Sequence, residues 1–125
     1  LEALDAMVST NPLKDFSIKK ASPAIAAGVL TLDYSTGPDF NVSLTENIPT
    51  LTITNWPTTG ETGKIRLRLT QDITGGRTVV FTGVKWDGGV VPTVSAAANA
   101  IDEFVLWSDD AGANIFGAIV GQAFS

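Results

Sequence analysis

The chain has 125 residues, a formal net charge of −5 at pH 7, and neither cysteine nor histidine. Its length fits one domain that removes roughly two-thirds of its extended-chain surface from water on folding. The missing residue types exclude disulfides, thiolate metal sites, cysteine nucleophiles and the serine–histidine–aspartate arrangement. An acidic chain also lacks the clustered positive charge that nucleic-acid binding requires, and no apolar run approaches the roughly 18 residues of a membrane span. We therefore expect no metal, no cofactor, no nucleic-acid partner and no membrane insertion.

The opening segment has apolar residues at helical spacing, and residues 9–12 would end a helix there. The residues concerned are Leu1, Leu4, Met7 and Val8. Eight residues are too few for a helix to persist alone in water. We expect this stripe to form an oligomer contact with the same segment of neighbouring subunits; a docked or frayed terminus is the alternative. Residues 1–27 are predicted to be an N-terminal helix and connecting arm, and residues 28–125 a β domain.

From residue 29 the chain alternates apolar and polar residues between turn formers, as half-buried strands do. Strands are predicted at 29–34, 40–45, 50–54, 64–70, 78–82, 84–86, 101–107 and 113–120. Gly75 and Gly76 allow positive φ, so the strands on either side of them are expected to pair as a central hairpin. Short strands at this spacing without helices favour an antiparallel β-sandwich, jelly-roll-like, with a short N-terminal helix or arm. The predicted core comprises Leu44, Ile53, Ile65, Leu67, Leu69, Phe81 and Leu106.

Charged residues make up only 17 % of the chain, and a threonine-rich, weakly charged β surface is poor at resisting edge-to-edge pairing. This suggests that partners cover the sheet edges. Lys64, Arg66 and Arg68 share one face of a predicted strand, and we expect acidic partners opposite them because like charges repel. Residues 109–114 resemble a calcium loop only loosely, since they lack its alternating acidic ligands and closing glutamate, and are predicted to be a hairpin turn.

Three tryptophans are the candidate binding residues: Trp56, Trp86 and Trp107. Exposed on one face, they could stack on sugar rings and bind a host surface glycan. Alternatively, they fill the ends of the sandwich core, and this structural role is favoured. Paired carboxylates could serve glycoside hydrolysis, but no pair is singled out by the sequence. We therefore expect a protein that is not an enzyme and has no catalytic residues.

The second half of the chain carries an ordered set of short motifs. They are Thr70-Gln71-Asp72, Thr74-Gly75-Gly76-Arg77-Thr78, Val84-Lys85-Trp86 with Gly88-Gly89, Pro92-Thr93, Ala98-Asn99-Ala100, Asp102 and Gly121-Gln122-Ala123-Phe124. Upstream, Leu30-Thr31-Leu32-Asp33, Leu44-Thr45-Glu46-Asn47 and Leu51-Thr52-Ile53-Thr54-Asn55-Trp56-Pro57 match more loosely. Over residues 28–125 this set resembles a β-sandwich domain of tailed-bacteriophage virion proteins, found especially at the C-terminal ends of tail fibres.

The resemblance implies a non-enzymatic structural module on the particle surface, usually a homotrimer in contact with other virion proteins. It would complete a tail fibre tip and attach to the host, or decorate the capsid as a head fibre or decoration protein. Two features depart from the pattern: only 27 residues precede the module, and Asp87 stands where a proline often occurs. A carbohydrate-binding module that uses its tryptophans is the alternative function.

Overall fold

A computed structural model describes residues 17–125, and these residues form an all-β structure. The strands are β1 (Lys20–Ala21), β2 (Val29–Asp33), β3 (Asp39–Leu44), β4 (Thr50–Thr54), β5 (Gly63–Gln71), β6 (Val84–Trp86), β7 (Ile101–Ser108) and β8 (Ile115–Phe124). Short 3₁₀ turns occupy Tyr34–Thr36 and Asp87–Gly89. The predicted all-β class is confirmed. The predicted N-terminal helix lies outside the described residues.

The described strands form a six-stranded sheet in the order β1-β3-β5-β7-β8-β6 and a two-stranded sheet of β2 and β4. Strand pairs β1–β3, β3–β5, β6–β8 and β2–β4 are parallel, whereas β5–β7 and β7–β8 are antiparallel. The prediction of antiparallel pairing is therefore right for two of these six strand pairs and wrong for the other four. Alternation in a sequence determines which side chains share a face, but it holds no information on the direction of the neighbouring strand.

The predicted central hairpin is also absent from the described fold, because β5 pairs with β3 and β7 instead. The side chain of Gln71 bonds both the backbone N–H and the backbone C=O of Arg77, at 3.1 and 2.8 Å. The next residues bridge to Ile48, which donates to the Thr78 carbonyl and accepts from Val80 N–H. The backbone groups that a hairpin would need are thus already bonded elsewhere.

One hydrophobic core lies between the two sheets. Along β3, β5 and β7 every second side chain points into it, and the register aligns Phe40, Leu67 and Phe104 across three adjacent strands. The small sheet contributes Leu30, Leu32 and Leu51 to the same cluster. The predicted core residues are buried, except that Ile53 is only partly buried.

The opposite side of the large sheet, here called the outer face, is turned away from the core. The outer face carries the alternate side chains of β3, β5 and β7, among them Asn41, Arg68 and Glu103.

The predicted division at residue 28 does not follow the sheet. Strand β1 lies within the predicted connecting arm, yet it pairs with Asp39 and Phe40 of β3.

Candidate assembly surface

The outer face carries a compact ionic network at its centre. Arg66 bonds Asp39 on one neighbouring strand and, at 2.7 Å, Glu103 on the other. Arg68 donates to the same Glu103 oxygen at 2.5 Å. The prediction of acidic partners is confirmed for these two arginines. Because the groups are partly exposed, each pair is worth at most about 1 kcal/mol, but together they neutralise the centre of the face.

Strand β8 exposes apolar side chains along an open edge. It pairs with β7 on one side, whereas β6 covers its other side only from Ile115 to Gly117. Within the described residues, no strand pairs with that second edge from Ala118 onward. Phe116, Ile119 and Val120 are 38 %, 48 % and 54 % exposed. We call these three side chains and the open edge beside them the β8 surface.

Nothing in the sequence of β8 protects this edge against association. Residues 111–125 contain no charged side chain and no proline, although charged residues and proline are the usual protection of an exposed sheet edge. Val90, itself exposed, lies with Ile119 and Trp86 along a cleft that extends the apolar area. Ile119 pairs with Phe104, whose side chain lies in the core, whereas Phe116 pairs with Trp107 on the outer face, so the exposed apolar side chains lie on both sides of this edge. Exposed apolar area at an unpaired edge marks an interaction site. The uncharged C-terminal run is the sequence signal that could have located the surface.

A buried carboxylate holds the far end of β8 in place. Asp102 is fully buried and accepts hydrogen bonds from the backbone N–H groups of Ser95 and Ala123, at 2.7 and 2.8 Å, and from the Gln122 amide at 3.2 Å. Burial alone raises the pKa of Asp102, but these hydrogen bonds outweigh it, and the pKa lies below its usual value. The charged carboxylate therefore fastens the end of β8 to the segment before β7.

The three tryptophans do not share a face. Trp86 is 8 % exposed and packs against Phe81 and Phe104, with ring centroids 5.0 and 5.9 Å apart, so it belongs to the core. Trp56 stacks on Tyr34 and lies so close to the backbone that a Cβ on Gly112 would approach its Cδ1 to 2.4 Å.

Trp107 lies on the outer face, stacked on Phe116 with ring centroids 6.0 Å apart and an interplanar angle of 25°. Its neighbour Leu106 points into the core, so Trp107 points the other way. No single platform unites the three rings. Trp107 instead adds to the aromatic area next to the β8 surface. The predicted oligomer contacts, Leu1, Leu4, Met7 and Val8, lie outside the described residues.

The turn between β7 and β8 is a hairpin turn, as predicted. Its carboxylate, Asp110, accepts from the side-chain amide and backbone N–H of Asn114, at 2.6 and 2.9 Å, and from the Ser108 hydroxyl at 2.9 Å. The amide of Asn114 makes the largest contribution to lowering the pKa of Asp110. Asp110 thus fixes the geometry with which β8 leaves β7.

Residues 17–125 hold no group of three or more acidic, histidine or cysteine side chains that could bind a metal ion. The helical turns in this part of the chain are far too short to cross a membrane. A scan against protein-family models found no match, and searches of curated proteins and of solved structures found none either.

Proposed function

We propose that the chain is a non-enzymatic structural protein of a tailed-bacteriophage virion, assembled as a homotrimer on the particle surface. It would stand at a tail fibre tip, with a part in host attachment, or on the capsid as a decoration or head fibre protein in contact with other virion proteins. The virion assignment is supported by the ordered motifs over residues 28–125. The β8 surface is the single structural observation that supports assembly.

Leaving the β8 surface exposed to water is unfavourable in free energy. Ile119 and Val120 expose apolar area next to unpaired backbone groups, and burying such area contributes about 25 cal/mol per Å². A neighbouring copy presents the same uncharged strand, so contact between copies removes no charge from water. Three β8 surfaces placed around a three-fold axis would cover one another.

The test is the native mass of Val120→Asp, measured by light scattering on a sizing column. The unaltered chain should have about three times its 13.1 kDa, and the variant should fall to the monomer mass, since a charge in an apolar seam is strongly unfavourable. Val80→Asp is the matched control, because Val80 is 55 % exposed and lies on a connection outside the β8 surface. Its mass should not change.

A monomeric unaltered chain at micromolar concentration would contradict the homotrimer. A Val120→Asp protein that remains trimeric would remove β8 from the seam. Immunogold labelling of particles with an antibody to this chain tests the location: labelled tail tips or capsids are expected, and unlabelled particles contradict it. Glycan binding through the tryptophans remains the alternative function, and the separate placement of the three rings gives it less support.

A further inference from the structure

A groove on the outer face has the chemistry of a sugar-binding site. It has a volume of about 460 Å³, within the roughly 300–1,000 Å³ typical of small-ligand sites, and lies where residues 22–25 run beside β3. Polar side chains from three segments line it. They are Ser22, Asn41, Ser43, Thr45, Arg68 and Thr70.

The sheet register explains why these groups converge. Asn41 pairs with Arg68, and Ser43 pairs with Thr70, which in turn pairs with Ile101 on β7. Paired residues on neighbouring strands point to the same side, and the strands lie about 4.8 Å apart. The groove floor therefore presents a row of polar groups with an apolar border at Ile101.

Several hydroxyl groups line the groove. Within the described part of the chain, the side chains of Ser43, Thr45 and Thr70 form no hydrogen bond, nor does that of Ser22. Each hydroxyl can both donate and accept. Asn41 accepts from Arg66 through its oxygen at 2.8 Å, which leaves its NH₂ group as a further donor. Such a set matches a ligand that itself carries many hydroxyls.

The charges in the groove cancel. Arg68 is bound through both Nε and a terminal nitrogen to Glu103, at 2.6 and 2.5 Å, so it contributes directional N–H groups without excess positive charge. Because no excess positive charge is left, an anionic ligand would gain little electrostatic attraction here. The charge balance selects a neutral ligand.

An aromatic ring borders the far end. A second hollow of about 220 Å³, lined by Arg68, Ile101, Glu103 and Phe124, adjoins the groove through the two residues they share. Phe124 is 47 % exposed, and its ring is held over Gly121, where a Cβ would approach it to 2.3 Å. A flat apolar ring beside polar groups suits a ligand with one apolar and one polar side.

From these observations we propose that the groove binds a short neutral saccharide. Its hydroxyls bond the row from Ser43 to Thr70, and the C–H face of one sugar ring lies on Phe124. Every group belongs to a single copy of the chain, so the site does not depend on trimer formation. It is also separate from the three tryptophans.

The test uses isotope-labelled protein, residues 1–125, titrated with neutral disaccharides of glucose, galactose, mannose, rhamnose and N-acetylglucosamine while amide NMR shifts are followed. At least one disaccharide should shift the amides of Ser43, Thr70 and Phe124. Ser43→Ala combined with Thr70→Val should weaken that binding by about tenfold, because two hydrogen bonds are lost. Thr52→Val is the control: Thr52 is exposed on β4, outside the groove, and its replacement should leave affinity unchanged.

Phe124→Ala should weaken binding as well, and affinity should be the same at low and high salt because no net charge is involved. The site is refuted if no disaccharide shifts the groove amides, if the double variant binds as well as the unaltered chain, or if shifts cluster at Trp56 or Trp107. If the protein binds a sialylated saccharide more tightly than the neutral ones, and its affinity falls strongly with salt, the proposal that the ligand is neutral is wrong. A monomeric protein that still binds would refute the trimer and leave this site standing.

Discussion

Two buried polar side chains fix the segments that connect the strands, because each forms hydrogen bonds to backbone groups of a distant segment. Gln71 and Asp102 stand at paired ends of β5 and β7, both buried, and each bonds backbone groups of a distant segment. Neither role is visible in the sequence alone, because a polar residue in an alternating strand looks the same whether it bonds solvent or backbone. The acidic partners of Arg66 and Arg68 were predictable, since a row of like charges requires them.

Asp102→Asn should lower the free energy of unfolding by about 2 kcal/mol, because hydrogen bonds to a charged group are lost and the new NH₂ group faces existing donors. Urea unfolding at neutral pH measures this loss of unfolding free energy. Asp87→Asn, at an exposed turn, is the control and should change stability little. Equal loss in both variants, or none in Asp102→Asn, would show that the carboxylate does not hold β8.

Stability should also fall with acidification. The folded-state pKa of Asp102 lies below the unfolded value of about 3.9, so its contribution is complete above about pH 5 and is lost as pH falls through 4 toward the folded pKa. Unfolding midpoints measured from pH 7 to pH 3 should decline less steeply for Asp102→Asn, which cannot titrate. Parallel curves for the two proteins would contradict this assignment.

Among the elements, strand positions were predictable and strand partners were not. Alternation located the strands around Leu32, Val42 and Ile65 because each buries one face, which period two records directly. The run 78–82 has the composition of a strand, yet only Val79 bridges to another residue, Ile48, since the preceding loop is fastened to Gln71. The only sequence feature that indicated the β8 surface is the absence of charged residues from positions 111–125. The groove depends on register, which the sequence does not specify.

At the β6–β8 contact, space is tight enough to predict a steric effect. A Cβ on Gly117 would lie 2.8 Å from the Trp86 ring and 2.8 Å from Val84 Cγ1. Gly117→Ala should therefore destabilise the fold by about 1–3 kcal/mol, as overpacked cores do. Ala118→Val, one residue further and exposed, is the matched control. Thermal unfolding midpoints compare the stability of the two variants. A Gly117→Ala protein as stable as the control would mean that β6 shifts to accommodate the added methyl group without loss of stability.

The whole molecule is weakly charged and has apolar area to cover, and the opening segment supplies a second candidate seam. Leu4→Asp should dissociate the proposed homotrimer and leave the strands folded, because Leu4 lies in the predicted apolar stripe. Light scattering measures the native mass of the variant, and circular dichroism measures whether its strands are still folded. A Leu4→Asp trimer would remove the opening segment from the seam and leave the β8 surface as its sole candidate.

The strand order also determines when the chain can fold. Among the described ladders, only β7–β8 joins strands that are neighbours along the chain, and β7 links the β1-β3-β5 half of the large sheet to the β8-β6 half. Local pairs close at the least entropic cost, so this hairpin is the expected early structure. Of the described strands, these two are also synthesised last. A nascent chain that stops before residue 101 holds β1, β3 and β5 but lacks both β7 and β8, so its β6 has no strand to pair with. The strand that completes the large sheet, β8, is also the one that carries the open edge.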